Sequence, residues 1–346
     1  MISPRINIME VCGTHTMAIA RYGLRKLFPP EITMLSGPGC PVCVTSIEDI
    51  DRAIEISKRK DVITATFGDM MRVPGSRSSL ESEKARGSDI RIVYSPMDAL
   101  EVALFHPEKK VVFLGVGFET TSPAVAGTVR RAKNRRITNF YVLPMFKTIP
   151  RALEAVLRMG GQKVDGFLLP GHVSAIIGPE PYGFIPEKFG VPCVIGGFSA
   201  NDIMTSINML GNQIKNRRPL VEIQYAAVVK RGGNKKAQDI LREVFEESDA
   251  VWRGIGKIPG SGLKLGKECR LFDASRLLNA KRIPSREPAG CSCGLILIGL
   301  KKPAQCRLFG SKCTPAHPVG PCMVSSEGAC AAEYKYGNVG CARIVS

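Results

Sequence analysis

Carboxylates and aromatic rings are in short supply, and long apolar runs are missing. Only 31 acidic residues face 48 lysines and arginines, a formal net charge of +17. A basic excess can serve nucleic acid or an acidic protein partner. Yet aromatics make up 6% of the chain, with one tryptophan, and the basic residues are spread evenly rather than interleaved with rings. RNA modules stack bases on such rings, so nucleic acid is not an expected partner. No apolar run approaches the roughly 18 residues that cross a bilayer. The opening Met1-Ile-Ser-Pro-Arg-Ile-Asn also lacks the apolar stretch of a signal peptide. No membrane partner is expected, and the expected location is cytoplasmic.

What the chain does have is 346 residues, 44% hydrophobic and 23% charged, the balance of a globular protein with room for two or three domains. It also has twelve cysteines. In a reducing compartment structural disulfides are rare, so this many thiols point to metal ligation or redox chemistry.

Short apolar runs alternate with amphipathic stretches. Strands are predicted at Ile32 to Leu35, Val62 to Phe67, Ile90 to Tyr94 and Val111 to Val116, after a buried-strand pattern at Ile6, Ile8, Met9 and Val11. Helices are predicted near Ile47 to Lys60, Met97 to Phe105 and Ser122 to Arg136. The pattern then restarts, with strands at Phe140 to Leu143, Gly166 to Leu169, Val191 to Ile195 and Val221 to Val229 and helices at Ile149 to Met159 and Asn201 to Lys215. Alternating strands and helices imply βαβ units and parallel sheets. The fold class is therefore α/β: two similar parallel-sheet domains, residues 1–136 and 137–244, facing a cleft. Residues 245–346 form a small cysteine-rich domain, where few apolar side chains are available and a metal centre supplies cross-links. In each half a strand runs into a Pro-Gly turn, Leu35-Ser-Gly-Pro-Gly-Cys40 and Leu169-Pro-Gly-His172. Ligands bind at the carboxyl ends of such strands, so both turns are candidate site loops.

The reactive-thiol candidate is Cys40-Pro-Val-Cys43, set just before the helical run at Thr45 to Lys60, whose N-terminus favours a thiolate. Upstream, Cys12-Gly-Thr-His15 offers a further soft ligand or nucleophile, with His15 placed to orient or deprotonate a thiol. A CxxC pair also occurs as a plain turn, and a lone histidine as a hydrogen-bonded structural residue. Gly115-Val-Gly117-Phe-Glu119 follows a strand and opens a helix, but it lacks the third glycine of a dinucleotide site and the lysine of a P-loop. Glu119 and Thr120 read instead as polar walls of the cleft, and His172 as a second histidine from the other domain. Cys306, Cys313, Cys322 and Cys330 lie outside the rhythm of zinc knuckles and suit an iron–sulfur cluster, with a zinc ion held by four cysteines as the alternative. Cys291 and Cys293 make six, so either Cys293 is one ligand or a redox pair sits beside the cluster.

Five stretches together carry a resemblance: Met9-Glu-Val-Cys-Gly-Thr-His-Thr16, Gly37-Pro-Gly-Cys-Pro-Val-Cys43, Gly117-Phe-Glu-Thr-Thr121, Pro170-Gly-His-Val-Ser174 and Cys313-Thr-Pro through Met323-Val-Ser-Ser-Glu-Gly-Ala-Cys330. In this order, over nearly the whole chain, they resemble the HypD family of hydrogenase maturation proteins. The resemblance implies a cytoplasmic assembly factor for NiFe hydrogenases, with three domains and a 4Fe–4S cluster. It implies a small HypC-type chaperone as partner, a HypE-type donor of cyanide, and a transient Fe(CN)2CO iron destined indirectly for the hydrogenase large subunit. Carried over, Cys12 matches the iron-binding thiol, Cys40 and Cys43 the redox-active or iron-supporting pair, and the C-terminal cysteines the cluster region. Relatives carry extra residues ahead of the Met9 motif. Cys193, Cys269 and Cys341 fall outside the motifs and are read as structural. Two rival readings use the same residues: an iron–sulfur-dependent thiol–disulfide oxidoreductase that needs neither Cys12 nor a chaperone, and a structural zinc protein.

Overall fold

A computed structural model describes residues 5–160, 163–278 and 285–337. In chain order the elements are β1 (Ile6–Glu10), α1 (Gly13–Arg21), β2 (Ile32–Ser36), α2 (Pro41–Val44), α3 (Ile47–Ser57), β3 (Val62–Thr66), α4 (Leu80–Ala85), β4 (Ile90–Ile92), α5 (Pro96–Phe105), β5 (Lys110–Gly115), α6 (Ser122–Asn134) and β6 (Phe140–Pro144). There follow α7 (Ile149–Arg158), β7 (Gly166–Pro170), α8 (Gly171–Ile177), α9 (Phe184–Phe189), β8 (Cys193–Gly196), α10 (Ala200–Lys215), β9 (Val221–Ile223), α11 (Lys235–Val244), β10 (Phe245–Trp252), β11 (Gly256–Leu265), α12 (Cys293–Leu297), α13 (Pro321–Val324) and α14 (Ala329–Tyr336). Among the described residues no helix is long and apolar enough to cross a membrane.

The fold is α/β with two parallel sheets, as expected, but the strands group differently from the 1–136 and 137–244 stretches. The first compact unit joins Met1–Val44, Ile149–Lys235 and Gly290–Ser346; the second joins Thr45–Thr148 and Lys236–Ala289. The first unit's sheet runs β2-β1-β7-β8-β9 and the second's runs β4-β3-β5-β6, all parallel. Counted within each unit, both orders begin second, first, third, fourth. The two halves are thus topologically alike, although β1 and β2 belong with the later strands. Local periodicity cannot reveal this, because it marks strands without saying which neighbour each one pairs with.

In the first unit the central β7 and β8 are buried along their whole length, as sheets covered on both faces require. Ile8, Leu168 and Val194 meet Ile19 of α1 and Ile203, Ile207 and Leu210 of α10. A capping box fixes where α10 starts: Ser199 Oγ accepts from Asp202 N–H while the Asp202 carboxylate accepts from Ser199 N–H. The strand expected over Val221 to Val229 ends at Ile223. The cysteine-rich stretch is present and clusters with this unit.

Residues 245–272 correct the expectation that the stretch from 245 onward offers few apolar side chains for a core. They form an antiparallel hairpin, with Phe245 opposite Leu265 and Trp252 opposite Gly256, followed by a 3-10 turn, and they enter the second unit's core. Phe245, Leu265, Cys269 and Phe272 pack there with Phe113, Phe140 and Phe146. Trp252 is 1% exposed, stacks on Phe118 at 6.0 Å and donates its indole N–H to Ser261 Oγ at 2.9 Å. Burying one such side chain contributes about 2–3 kcal/mol.

Candidate functional site

The first sheet reverses its winding between β1 and β7, and in open parallel sheets ligands bind at that switch point, beyond the carboxyl ends of the strands. Cys12 sits there as the residue that starts α1, with extended backbone (φ −149°, ψ 128°) and no side-chain cap hydrogen bond. The Gly37–Cys40 loop leaving β2 packs directly on it. Gly13 N–H donates to Gly39 O at 3.0 Å, and a Cβ at Gly39 would meet the Val11 and Cys12 backbone. Gly39→Ala is therefore expected to cost about 2 kcal/mol in chemical denaturation. Gly211→Ala, in α10 with nothing within 4 Å of an added Cβ, should be neutral or stabilising. Equal behaviour of the two variants would show that the loop is free to move away from Cys12.

The thiol of Cys12 is buried. Burial pushes its pKa up to about 12, and the Glu327 carboxylate adds to the rise. Beneath it, buried Glu10 accepts from Thr16 Oγ1 at 2.6 Å and from Cys12 N–H at 3.3 Å, and burial raises its carboxyl to about 8. Glu327 reaches the site from the loop between α13 and α14, accepting from Thr14 Oγ1 at 2.8 Å. Only a glycine at position 13 allows that approach, since a Cβ there would lie 2.5 Å from Glu327 Cβ.

His15 and His172, expected from separate domains, belong to the same unit. They follow β1 and β7, neighbouring strands, and each stacks on Phe198, at 4.7 Å and 4.0 Å between ring centres. His15 Nε2–H donates to Gly197 O at 2.9 Å, which leaves the buried Nδ1 without a hydrogen-bond partner among the described residues. Burial lowers the pKa of His15 to about 4 from an ordinary 6.5. The more exposed His172 is lowered too, by partial burial, with Glu327 pulling the other way.

A histidine held neutral contributes stability that is complete above its unfolded pKa and is lost as pH falls toward the folded one. Between pH 6.5 and 4 the wild type should therefore lose stability that His15→Gln retains, by about 2 kcal/mol near pH 5. Parallel pH profiles in thermal melts would mean that His15 is not buried neutral.

Cys40 and Cys43 form a disulfide with Cα atoms 5.2 Å apart, and Cys43 N–H donates to Cys40 Sγ at 3.2 Å. The pair opens the four-residue α2, and α3 starts separately at Ile47 with Ser46 as its cap. The expected dipole of a long helix running from Thr45 is therefore not what acts on these sulfurs. Cys43 Sγ lies 3.9 Å from Pro321 O, one residue before Cys322.

The C-terminal thiols gather around Gly320, where an added Cβ would lie 2.6 Å from Cys291 Sγ and 2.7 Å from Cys293 Sγ. Cys322, fully buried, hydrogen-bonds with Cys293 and Cys330. Donation from the neighbouring thiols pulls the Cys330 pKa down, while Cys322, whose own S–H is tied up in these contacts and fully buried, is pushed up. Cys313, raised by burial, senses Cys291 and Cys293, and Cys330 senses Cys313 and Cys291. Cys306 Sγ stands apart, 3.9 Å from Gly290 O, next to Cys291. Among the described residues no three histidine, cysteine or carboxylate side chains converge as ligands of one ion do. A cubane takes one thiolate at each iron corner, so it needs sulfurs around a space rather than on a point. The donor set here, thiols with one readily ionised, fits that demand.

Glu119 lies in the second unit, buried just beyond the carboxyl end of β5. The glycines before it serve packing: a Cβ on Gly115 would lie 2.7 Å from the Phe146 ring, and one on Gly117 would strike Thr121. Cys193 in β8 and Cys269 in the second core are buried with raised pKa values, as structural thiols are. Cys341 lies outside the described residues.

The family model "HypD: Hydrogenase formation hypA family" matches residues 2–337. The chain belongs to the HypD family. It is 46% identical over 341 residues to the hydrogenase maturation factor HypD of Cupriavidus necator, covering 96% of this chain and 90% of that one. The factor of the same name in Rhodobacter capsulatus is 46% identical over 337 residues (96% and 89% covered), and that of Escherichia coli K12 is 45% identical over 332 residues (96% and 89%). Sequence reasoning missed Glu327 and Phe198 at this candidate site. Glu327 was within reach, because it stands inside the Met323 to Cys330 motif. Phe198 carried no signal beyond the two glycines before it.

Proposed function

We propose that the chain is a cytoplasmic scaffold on which an iron fragment bound at Cys12 acquires cyanide and carbon monoxide ligands during NiFe hydrogenase maturation. A HypC-type chaperone shares the iron, a HypE-type protein delivers cyanide, and the Fe(CN)2CO product passes on toward the hydrogenase large subunit. The observation that carries this reading is a buried thiol at the sheet's switch point, packed against the loop that holds the Cys40–Cys43 disulfide. A thiol raised to about 12 is a poor nucleophile at neutral pH, which counts against exchange chemistry at Cys12. A bound cation reverses that preference, because metal ligation deprotonates the thiol outright. Soft thiolate ligation in turn suits the electron-rich iron that cyanide and carbon monoxide require.

Cys40 and Cys43 are the redox pair in this reading: opening the disulfide consumes two electrons and two protons and yields two thiols. A 4Fe–4S cluster held by the C-terminal cysteines would supply those electrons one at a time. Spacing proposes Cys306, Cys313, Cys322 and Cys330 as its ligands. The geometry favours Cys291 in place of Cys322, because Cys291 neighbours both Cys313 and Cys330, whereas Cys322 is completely buried. Glu327 and His15 position the Cys12 pocket.

The test is anaerobic co-purification with the small chaperone, followed by infrared spectroscopy. Cyanide and carbon monoxide stretching bands are expected on the complex. Bands absent from an iron-loaded complex, with disulfide exchange on a protein substrate intact, would favour the oxidoreductase reading.

A further inference from the structure

β2 is the edge strand of the first sheet, paired among the described residues with β1 alone. Ile6 N–H donates to Glu31 O at 2.8 Å and Gly37 N–H to Glu10 O at 2.9 Å. Strand residues alternate in direction, so Glu31, Thr33, Leu35 and Gly37 turn their amides toward β1 while Ile32, Met34 and Ser36 turn theirs away. Ile32 N–H is satisfied by Pro29 O at 2.9 Å. The Met34 N–H and C=O and the Ser36 N–H have no backbone partner among the described residues. Met34 is only 9% exposed, and covered backbone groups are nearly always paired.

These groups open onto a cavity of about 670 Å³ lined by all five residues of β2 and by residues 299–305. Its volume falls within the roughly 300–1,000 Å³ typical of ligand pockets. Four cations line it, Arg5, Arg25, Lys301 and Lys302, against one carboxylate, Glu333, which Arg25 already engages at 2.6 Å. Arg5, Lys301 and Lys302 have no ion pair among the described residues. Leu300, 42% exposed, and Phe28 add apolar contact.

We propose that this groove binds an extended acidic segment of a partner protein, added as a further strand beside β2. An unpaired ladder of alternating donors and acceptors is what an added strand satisfies. The cationic rim selects acidic side chains by charge complementarity, and the apolar lining accepts the residues between them. None of the residues lining the groove is one of those proposed above to hold iron or the cluster.

The test uses the full chain and a fluorescein-labelled, acetylated pentapeptide alternating glutamate and valine, followed by anisotropy and by amide exchange at Met34 and Ser36. Saturable binding is expected that slows exchange at both amides and falls with added salt. Its Kd should weaken by about tenfold in the Lys301→Glu, Lys302→Glu double variant, whose changes lie at the surface. The same peptide N-methylated at alternate amides should not bind. Equal binding of the N-methylated peptide, or displacement by inorganic phosphate or glutarate without amide protection, would overturn the strand in favour of a simple anion site. No saturable binding up to about 1 mM would mean that the groove holds only water.

Discussion

Cys330→Ser is expected to strip iron and acid-labile sulfide from the anaerobically purified protein, and Cys322→Ser to leave both in place. An iron–sulfur cluster binds thiolates, so the most easily ionised thiol of a group is the one most readily recruited. Cys330 is drawn toward that state, because the neighbouring S–H groups of Cys293 and Cys322 donate to it and lower its pKa. Serine in its place offers a harder oxygen that holds its proton near neutrality. Cys322 is fully buried with its pKa raised, and in serine the same position keeps a donor to Cys330.

Cluster loss should also loosen the cysteine-rich stretch. Cys291, Cys293, Cys306, Cys313 and Cys330 hang on short helical turns and loops, and metal sites in such settings supply several kcal/mol of folding energy. Limited proteolysis of Cys330→Ser should cut between 290 and 337 before it cuts the sheets. Cys291→Ser should lose metal as Cys330→Ser does. A full cluster in Cys291→Ser together with an empty Cys322→Ser would restore the quartet read from spacing alone. Loss in Cys293→Ser with Cys291→Ser intact would put Cys293 at the fourth corner.

The strands and helices were legible because parallel sheets covered on both faces leave near-continuous apolar runs, such as Phe167-Leu-Leu169 and Val111-Val-Phe-Leu114. Their partners were not, because pairing is a long-range matter: β1 lies beside β7, more than 150 residues later. The β10–β11 hairpin stayed hidden for another reason. Its strands carry charged and small residues over Glu246-Glu-Ser-Asp249 and Gly260-Ser-Gly262 in place of an apolar run, and much of β10 is exposed. The site was legible where chemistry is tied to residue type. Cys12, His15, Cys40, Cys43 and His172 do come together on one sheet's carboxyl edge, whereas Glu327, although it stands inside a motif, shows its place only where Gly13 lets its backbone come alongside.

Cys12→Ala is expected to keep the fold and the C-terminal cluster yet to lose the cyanide and carbon monoxide bands when purified with the small chaperone. Stability should change little: alanine removes only the weak hydrogen bonds that the Cys12 sulfur takes from Thr14 and the His15 amide, and the lost sulfur leaves a void worth about 1 kcal/mol. The bands depend on one thiolate that is engaged neither by the cluster nor by the disulfide. Cys12 is the thiol at the switch point that meets this condition. Because its proton must leave before iron binds, uptake by the wild type should strengthen with rising pH across the neutral range, toward the thiol's pKa of about 12. His15→Ala should weaken the bands less, since it removes a group that shapes the pocket rather than the ligand itself. Glu327→Gln should also lower uptake, by removing a negative charge that favours a cation beside Cys12. Bands at full intensity in Cys12→Ala would take this residue off the iron. The disulfide and the thiol cluster would then be left as the working parts, which is the oxidoreductase reading.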